Sequence, residues 1–112
     1  MIQHQTVVIL GSTGSIGTQG LDVIERHRDR FTVIGLAAGG SHVKLLAQQA
    51  AQFNVPEVVV ADESKVAELR EALDAAGASF TQIRAGREEV NALAASGASV
   101  VLNGITGSIG LE

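Results

Sequence analysis

Apolar residues fall into two alternating patterns along this chain. Short, nearly unbroken runs occupy residues 6–10, 31–37, 57–61 and 99–102. They are rich in Val, Ile and Leu and do not alternate with polar residues, so they read as strands covered on both faces. Between them lie longer stretches whose apolar residues recur every three or four positions, the spacing of one face of a helix. The first runs from about Ser15 to His27 and carries Leu21, Val23 and Ile24. The second places Val43, Leu46, Ala47, Ala50 and Phe53 on one face, with Ser41 as its N-cap and residues 54–56 as its end. The third, opened by Asp62, has the stripe Val66, Leu69, Ala72 and Leu73 and stops at Gly77. The fourth spans residues 87–95 with Val90, Leu93 and Ala94 inward. Residues 80–84 alternate poorly and read as a short strand at a sheet edge.

Strand and helix alternating through short loops predict an α/β fold. The expected architecture is Rossmann-like: a doubly wound, mainly parallel sheet in a three-layer αβα sandwich, with residues 1–112 as one domain. If the first three strands step outward from the centre, the last returns to the other side of strand one. Two glycine loops then meet where the strand order reverses, at the carboxyl ends of the central strands. These loops echo each other: GSTGSIG at residues 11–17 and GITGSIG at residues 104–110 differ at one position. A helix is expected to begin after the second loop. The chain ends there, at Leu111 and Glu112, which suggests a piece of something longer.

The first loop carries the chemistry. Three glycines spaced three apart follow the first strand and open the first helix. Glycine permits positive φ in a tight turn and lets backbone approach a pyrophosphate without a Cβ in the way. The third, Gly17, would let the helix pack closely on the strand. Unpaired amides of the first helical turn and the positive end of the helix dipole would then face the phosphates. A plain strand-to-helix turn, with Ser12, Thr13 and Ser15 as turn and capping residues, uses the same residues. The position after the first strand of an alternating chain favours dinucleotide binding.

Composition narrows the partners. Net charge is −4 with no basic run, which disfavours nucleic acid and anionic membrane. The chain has no cysteine, hence no disulfide, thiolate nucleophile or zinc–thiolate site. Its core must be Val, Ile, Leu and Ala, because it has no Trp or Tyr and three Phe. No apolar run approaches the roughly 20 residues of a membrane span, and no signal peptide is visible at the N-terminus, so a cytoplasmic protein is expected. His4, His27 and His42 are scattered and read as surface residues. The carboxylate pairs Asp62/Glu63 and Glu88/Glu89 open helices, where they complement the dipole. No catalytic group and no metal site is expected.

An NAD site usually carries a carboxylate at the end of strand two to hold the ribose 2′-hydroxyl. Here that end reads Ala38-Gly39-Gly40-Ser41. Backbone amides of Gly39 and Gly40, the Ser41 hydroxyl and the following helix start suit a 2′-phosphate, with His42 and Lys44 as the nearest cations in sequence. NADP is therefore expected over NAD.

The runs VVILGSTGSIGTQGLDVIERHRDRF, GLAAGGS and VVLNGITGSIGL strongly resemble the N-terminal NADPH-binding domain of the 1-deoxy-D-xylulose 5-phosphate reductoisomerase family, over essentially the whole chain. The resemblance implies an NADPH-dependent enzyme of the non-mevalonate isoprenoid pathway. It rearranges 1-deoxy-D-xylulose 5-phosphate and reduces the product to 2-C-methyl-D-erythritol 4-phosphate, with a divalent metal (Mg or Mn), as a homodimer. It also implies that Thr13, Gly14, Ser15 and Ile16 line the cofactor loop, and that Gly104 and Ile105 pass beside the nicotinamide ribose. The family's 2′-phosphate turn often reads Ala-Gly-Lys-Asn. Gly40 stands at the lysine position here, so either Ser41 and backbone suffice or Lys44 substitutes. The family's metal ligands, phosphate-binding residues and flap belong to later domains, so this chain alone is expected to bind cofactor and catalyse nothing. Two other readings are an NADP oxidoreductase of the semialdehyde-dehydrogenase type, which needs a cysteine nucleophile elsewhere, and a non-catalytic nucleotide-sensing module.

Overall fold

A computed structural model describes residues 4–105 and 108–111. The elements follow in the order β1 (Gln5–Leu10), α1 (Ser15–Glu25), β2 (Phe31–Ala38), α2 (Val43–Gln52), β3 (Glu57–Val60), α3 (Val66–Ala75), β4 (Gln82–Ala85), α4 (Arg87–Ala94), β5 (Val100–Asn103) and β6 (Ser108–Leu111); a 3-10 turn at Glu63–Lys65 leads into α3. They form one sheet with strand order β4-β3-β2-β1-β5-β6. The first five strands are mutually parallel, and β4 is the edge that its weak alternation predicts. The chain steps outward from β1 to β4 and returns through α4 to the far side of β1. Leu10 and Asn103, the last residues of β1 and β5, stand side by side.

The unbroken apolar runs are explained by cover on both faces. Val7 and Ile9 point into a core with Leu21 and Ile24 of α1, Leu46 and Ala50 of α2, and Leu69 and Leu73 of α3. Val8 and Leu10 point the other way, with Val59, to Leu93 of α4. Ile9 and Val8 are both fully buried. At roughly 25 cal/mol per Å² of buried apolar surface, residues of this size stabilise by about 2 kcal/mol each, so the central strand anchors the fold. β2 shifts register between its pairs with Val7 and Val8, at Ile34. Just beyond, a side chain on Gly35 would lie 2.5 Å from Leu93 Cδ1, so this glycine admits α4 to the sheet.

Two expectations are corrected. Residues 108–111 form an antiparallel strand, β6, pairing Asn103 with Ser108 and Val100 with Leu111, where a helix was expected. The second glycine loop therefore turns into a hairpin. The Asn103 side chain helps start that turn by accepting from the Ile105 amide at 3.0 Å. Thr106 and Gly107 lie outside the described residues. In addition, His42 rather than Ser41 occupies the N-cap of α2, and no side-chain hydrogen bond caps that helix. Asp62 does cap as expected, accepting from the Ser64 amide at 3.0 Å and the Ser64 hydroxyl at 2.6 Å. Those two bonds, aided by Lys65, hold its carboxyl below the ordinary aspartate pKa.

Candidate dinucleotide site

Three segments far apart in sequence close into one rim at the carboxyl end of the sheet. The amides of Gly11 and Ser12 donate to the Ala37 carbonyl, at 2.7 and 3.0 Å, which ties the first glycine loop to the end of β2. The Gly104 amide donates to the Leu10 carbonyl at 2.6 Å and lays the second glycine loop against the first. The Asp62 amide donates to the Gly39 carbonyl at 3.1 Å and brings the end of β3 up to the β2 turn. Every segment singled out for cofactor contact thus belongs to one surface: Thr13, Gly14, Ser15 and Ile16; Gly39, Gly40 and Ser41; Gly104 and Ile105.

Each glycine of the first loop has its own reason. Gly11 adopts φ +72°, a left-handed turn costly for other residues, and a Cβ there would lie 2.9 Å from Ile105 Cγ1. Gly17 is buried; a side chain on it would overlap the Gly11 carbonyl oxygen and lie 2.6 Å from Ser12 Cα. Its close contact is therefore with the loop backbone rather than with the strand. The residue that brings α1 onto the sheet is Gly20, where a Cβ would overlap Leu102 Cδ2 of β5. Gly14 differs from both. It is the N-cap of α1 at φ −78° and ψ 174°, ordinary extended backbone, and a Cβ there would meet only the Gly11 carbonyl oxygen at 3.5 Å. It is exposed, and the exposed residues Ser15 and Ile16 follow it. No side chain caps α1, so the amides of its first turn are open to a ligand, with the helix dipole behind them. An open cradle at Gly14 before an uncapped helix start fits a phosphate-bearing cofactor.

Comparison with known proteins agrees with this geometry. The family model of 1-deoxy-D-xylulose 5-phosphate reductoisomerase matches residues 7–112. The chain belongs to that family. The enzyme of this name from Bifidobacterium longum (strain NCC 2705) is 68% identical over 109 residues, covering 97% of this chain and 28% of that protein. Among solved structures, the reductoisomerase from Zymomonas mobilis in complex with NADPH matches with a TM-score of 0.79 and 41% identity, over 88% of this chain and 25% of that one. A reductoisomerase in complex with NADPH, fosmidomycin and magnesium matches with a TM-score of 0.73 and 31% identity, over 83% of this chain and 22% of that one. The chain therefore spans about a quarter of the length of these reductoisomerase relatives.

Two residues at the rim are missed by sequence reading of this reductoisomerase domain. Gln49 looks like any polar residue of α2, yet it is 5% exposed, and its side-chain amide donates to the Ser12 carbonyl at 2.8 Å. It thereby holds the glycine loop from below; its burial on the otherwise apolar face of α2 was the available signal. Lys65 follows Asp62 in a stretch read only as a helix start, yet its side chain lies against Gly40. Lys44, the cation offered from sequence, instead lines a groove between α2 and α3 with Gln48, Glu68 and Glu71. His4, His27 and His42 are all exposed. Among the described residues no three His, Cys, Asp or Glu side chains are grouped to hold a metal ion, and no helix is long and apolar enough to cross a membrane.

Proposed function

We propose that residues 1–112 are the NADPH-binding domain of a cytoplasmic, homodimeric reductoisomerase. That enzyme isomerises 1-deoxy-D-xylulose 5-phosphate and reduces the resulting aldehyde to 2-C-methyl-D-erythritol 4-phosphate for isoprenoid synthesis. The observation that carries this reading is the open cradle at Gly14, set over the uncapped start of α1 at the junction of β1 and β5. In it the amides of Thr13, Ser15 and Ile16 orient the pyrophosphate, and the helix dipole offsets its charge. Gly39, Gly40 and Ser41 receive the adenosine 2′-phosphate. Gly104 and Ile105 pass beside the nicotinamide ribose, where the 75%-exposed Ile105 side chain offers an apolar wall that excludes water. NADPH, when bound, supplies the hydride for the reduction. This chain's part is to bind it and fix its orientation.

The described residues do not suit a divalent metal, so the metal and the sugar-phosphate contacts are assigned to other parts of the enzyme. Titrating the chain with NADPH and NADH by calorimetry tests the reading. NADPH is expected to bind more tightly, because β2 ends without a carboxylate. Tighter NADH binding would remove the assignment of Gly39 to Ser41.

A further inference from the structure

We propose that Lys65 supplies the positive charge that selects NADPH over NADH, a proposal resting on the reading of Gly39–Gly40–Ser41 as the 2′-phosphate turn. In doubly wound folds the two cofactors are told apart at the carboxyl end of the second strand, where a carboxylate suits a 2′-hydroxyl and a cation suits a 2′-phosphate. β2 ends at Ala38, and the three turn residues after it are uncharged. A phosphate monoester carries about −1.5 to −2 at neutral pH. Amides and a hydroxyl can bond its oxygens but cannot balance that charge. The cation must come from another element.

The fold brings one there. Gly40 sits at φ +123°, a conformation that turns its Cα toward the end of β3. The three groups nearest to a Cβ at Gly40 would be Lys65 Cγ at 3.0 Å, Asp62 Cβ at 3.1 Å and Val60 Cγ2 at 3.3 Å. The aliphatic stem of Lys65 therefore lies beside the backbone of the turn, and the ammonium it carries stands 3.8 Å from Glu68 Oε1. The Lys65 side chain is 38% exposed, its stem covered by the turn, so it remains accessible to a ligand there. Its ion-pair partner, Glu68, is 60% exposed and 3.8 Å away, a long contact between surface groups that a doubly charged phosphate readily displaces. The acid closest to the turn, Asp62, is already bonded through Oδ1 to Ser64 on its own segment. Lys44 lies along the α2–α3 groove with Glu68 and Glu71, and His42 is exposed at the N-cap of α2. Of these three cations, Lys65 is the one whose side chain lies against Gly40.

The test is calorimetric titration of the chain and three variants with NADPH and with NADH, with thermal melts to check folding. Lys65→Met keeps the unbranched stem on Gly40 and removes only the charge. It should weaken NADPH binding about tenfold, the loss of one charge-assisted contact, and leave NADH binding within about twofold. The loss should shrink as salt is raised. Lys65→Arg should keep the preference for NADPH, and Lys44→Met should leave it unchanged. An unchanged preference in Lys65→Met, or a preference lost in Lys44→Met, overturns the proposal. Equal weakening toward both cofactors in Lys65→Met also overturns it, because that is the signature of a packing role. A wild-type chain with no preference for NADPH removes the reading of the turn itself, an outcome distinct from a preference that survives the loss of Lys65.

Discussion

A methyl group on Gly14 would sit at ordinary van der Waals distance from its one neighbour, whereas a methyl group on Gly17 would collide with the backbone of Gly11 and Ser12. The same motif residue type thus serves ligand space at one position and chain packing at the other, and the two substitutions should separate. Gly14→Val should fold normally, because φ −78° and ψ 174° suit a β-branched residue. Its side chain would fill the space a pyrophosphate needs, so NADPH binding should fall below calorimetric detection; unchanged affinity in a folded variant would make the loop a mere turn. Gly17→Ala should instead destabilise the fold by about 3 kcal/mol, since backbone cannot move aside as a flexible side chain can. A melting temperature lowered by roughly 10–20 °C is expected for a domain of this size. A Gly17→Ala variant that melts with the wild type would show that the Gly17 contact is looser than the structure has it. Glycine spacing was legible in the sequence. What each glycine packs against was not, because that depends on what stands opposite each Cα.

Among the helices, α2 shows how an element far from the ligand shapes the site. Gln49 reaches from its buried face to the Ser12 carbonyl, so the glycine loop is fixed from α2 as well as from Ala37 of β2. Gln49→Leu should leave that carbonyl without its partner, at a cost of about 1–3 kcal/mol. It should also weaken NADPH and NADH by the same factor, roughly threefold to tenfold by the energy of one such bond. Melting curves and paired titrations would check this; weakening confined to NADPH would place Gln49 in cofactor discrimination instead. The two glycine loops make the complementary point. Ser-Ile-Gly opens α1 at residues 15–17 and lies in β6 at residues 108–110. After Gly11 the chain is held by Ala37 of β2 and continues into a helix over the sheet. After Asn103, whose side chain accepts from the Ile105 amide, it reverses and pairs along the open edge of β5. A strand edge with unpaired amides and carbonyls draws a following segment into pairing, and nothing in the tripeptide itself announces that.

For the molecule as a whole, the reaction needs more than this surface. Rearranging a sugar phosphate requires a group that holds adjacent oxygens and polarises a carbonyl, as a carboxylate-bound metal does. Hydride transfer requires the substrate fixed over the nicotinamide. Among the described residues no three His, Cys, Asp or Glu side chains are grouped to hold a metal ion, and the chain spans 28% of its Bifidobacterium longum relative. Incubating the 112-residue chain at high concentration with 1-deoxy-D-xylulose 5-phosphate, NADPH and magnesium should give no change in NADPH absorbance above a blank, while a chain carrying the relatives' remaining length should restore turnover. Metal-dependent oxidation by the 112-residue chain, lost in Gly14→Val, would place the active site within these residues.

Much of the architecture was present in the order of residues. Apolar runs without alternation required strands covered on both faces, and that cover, with helices between the strands, required a parallel sheet. The placement of Val7 and Ile9 toward one core and Val8 and Leu10 toward the other is the physical form of that pattern. Glycine spacing likewise marked the loop that the fold sets at the carboxyl end of the central strand β1. These features are local, set by residues within a turn or a strand of each other. Tertiary structure decided the rest: Gly104 against Leu10, Gln49 beneath Ser12, Lys65 on Gly40, and β6 in place of a helix. Each joins segments whose meeting depends on strand order, helix packing or an available sheet edge. Short-range periodicity carries no record of such distances, so a lysine that reads as one more polar residue in a helix start comes, once folded, to lie against Gly40.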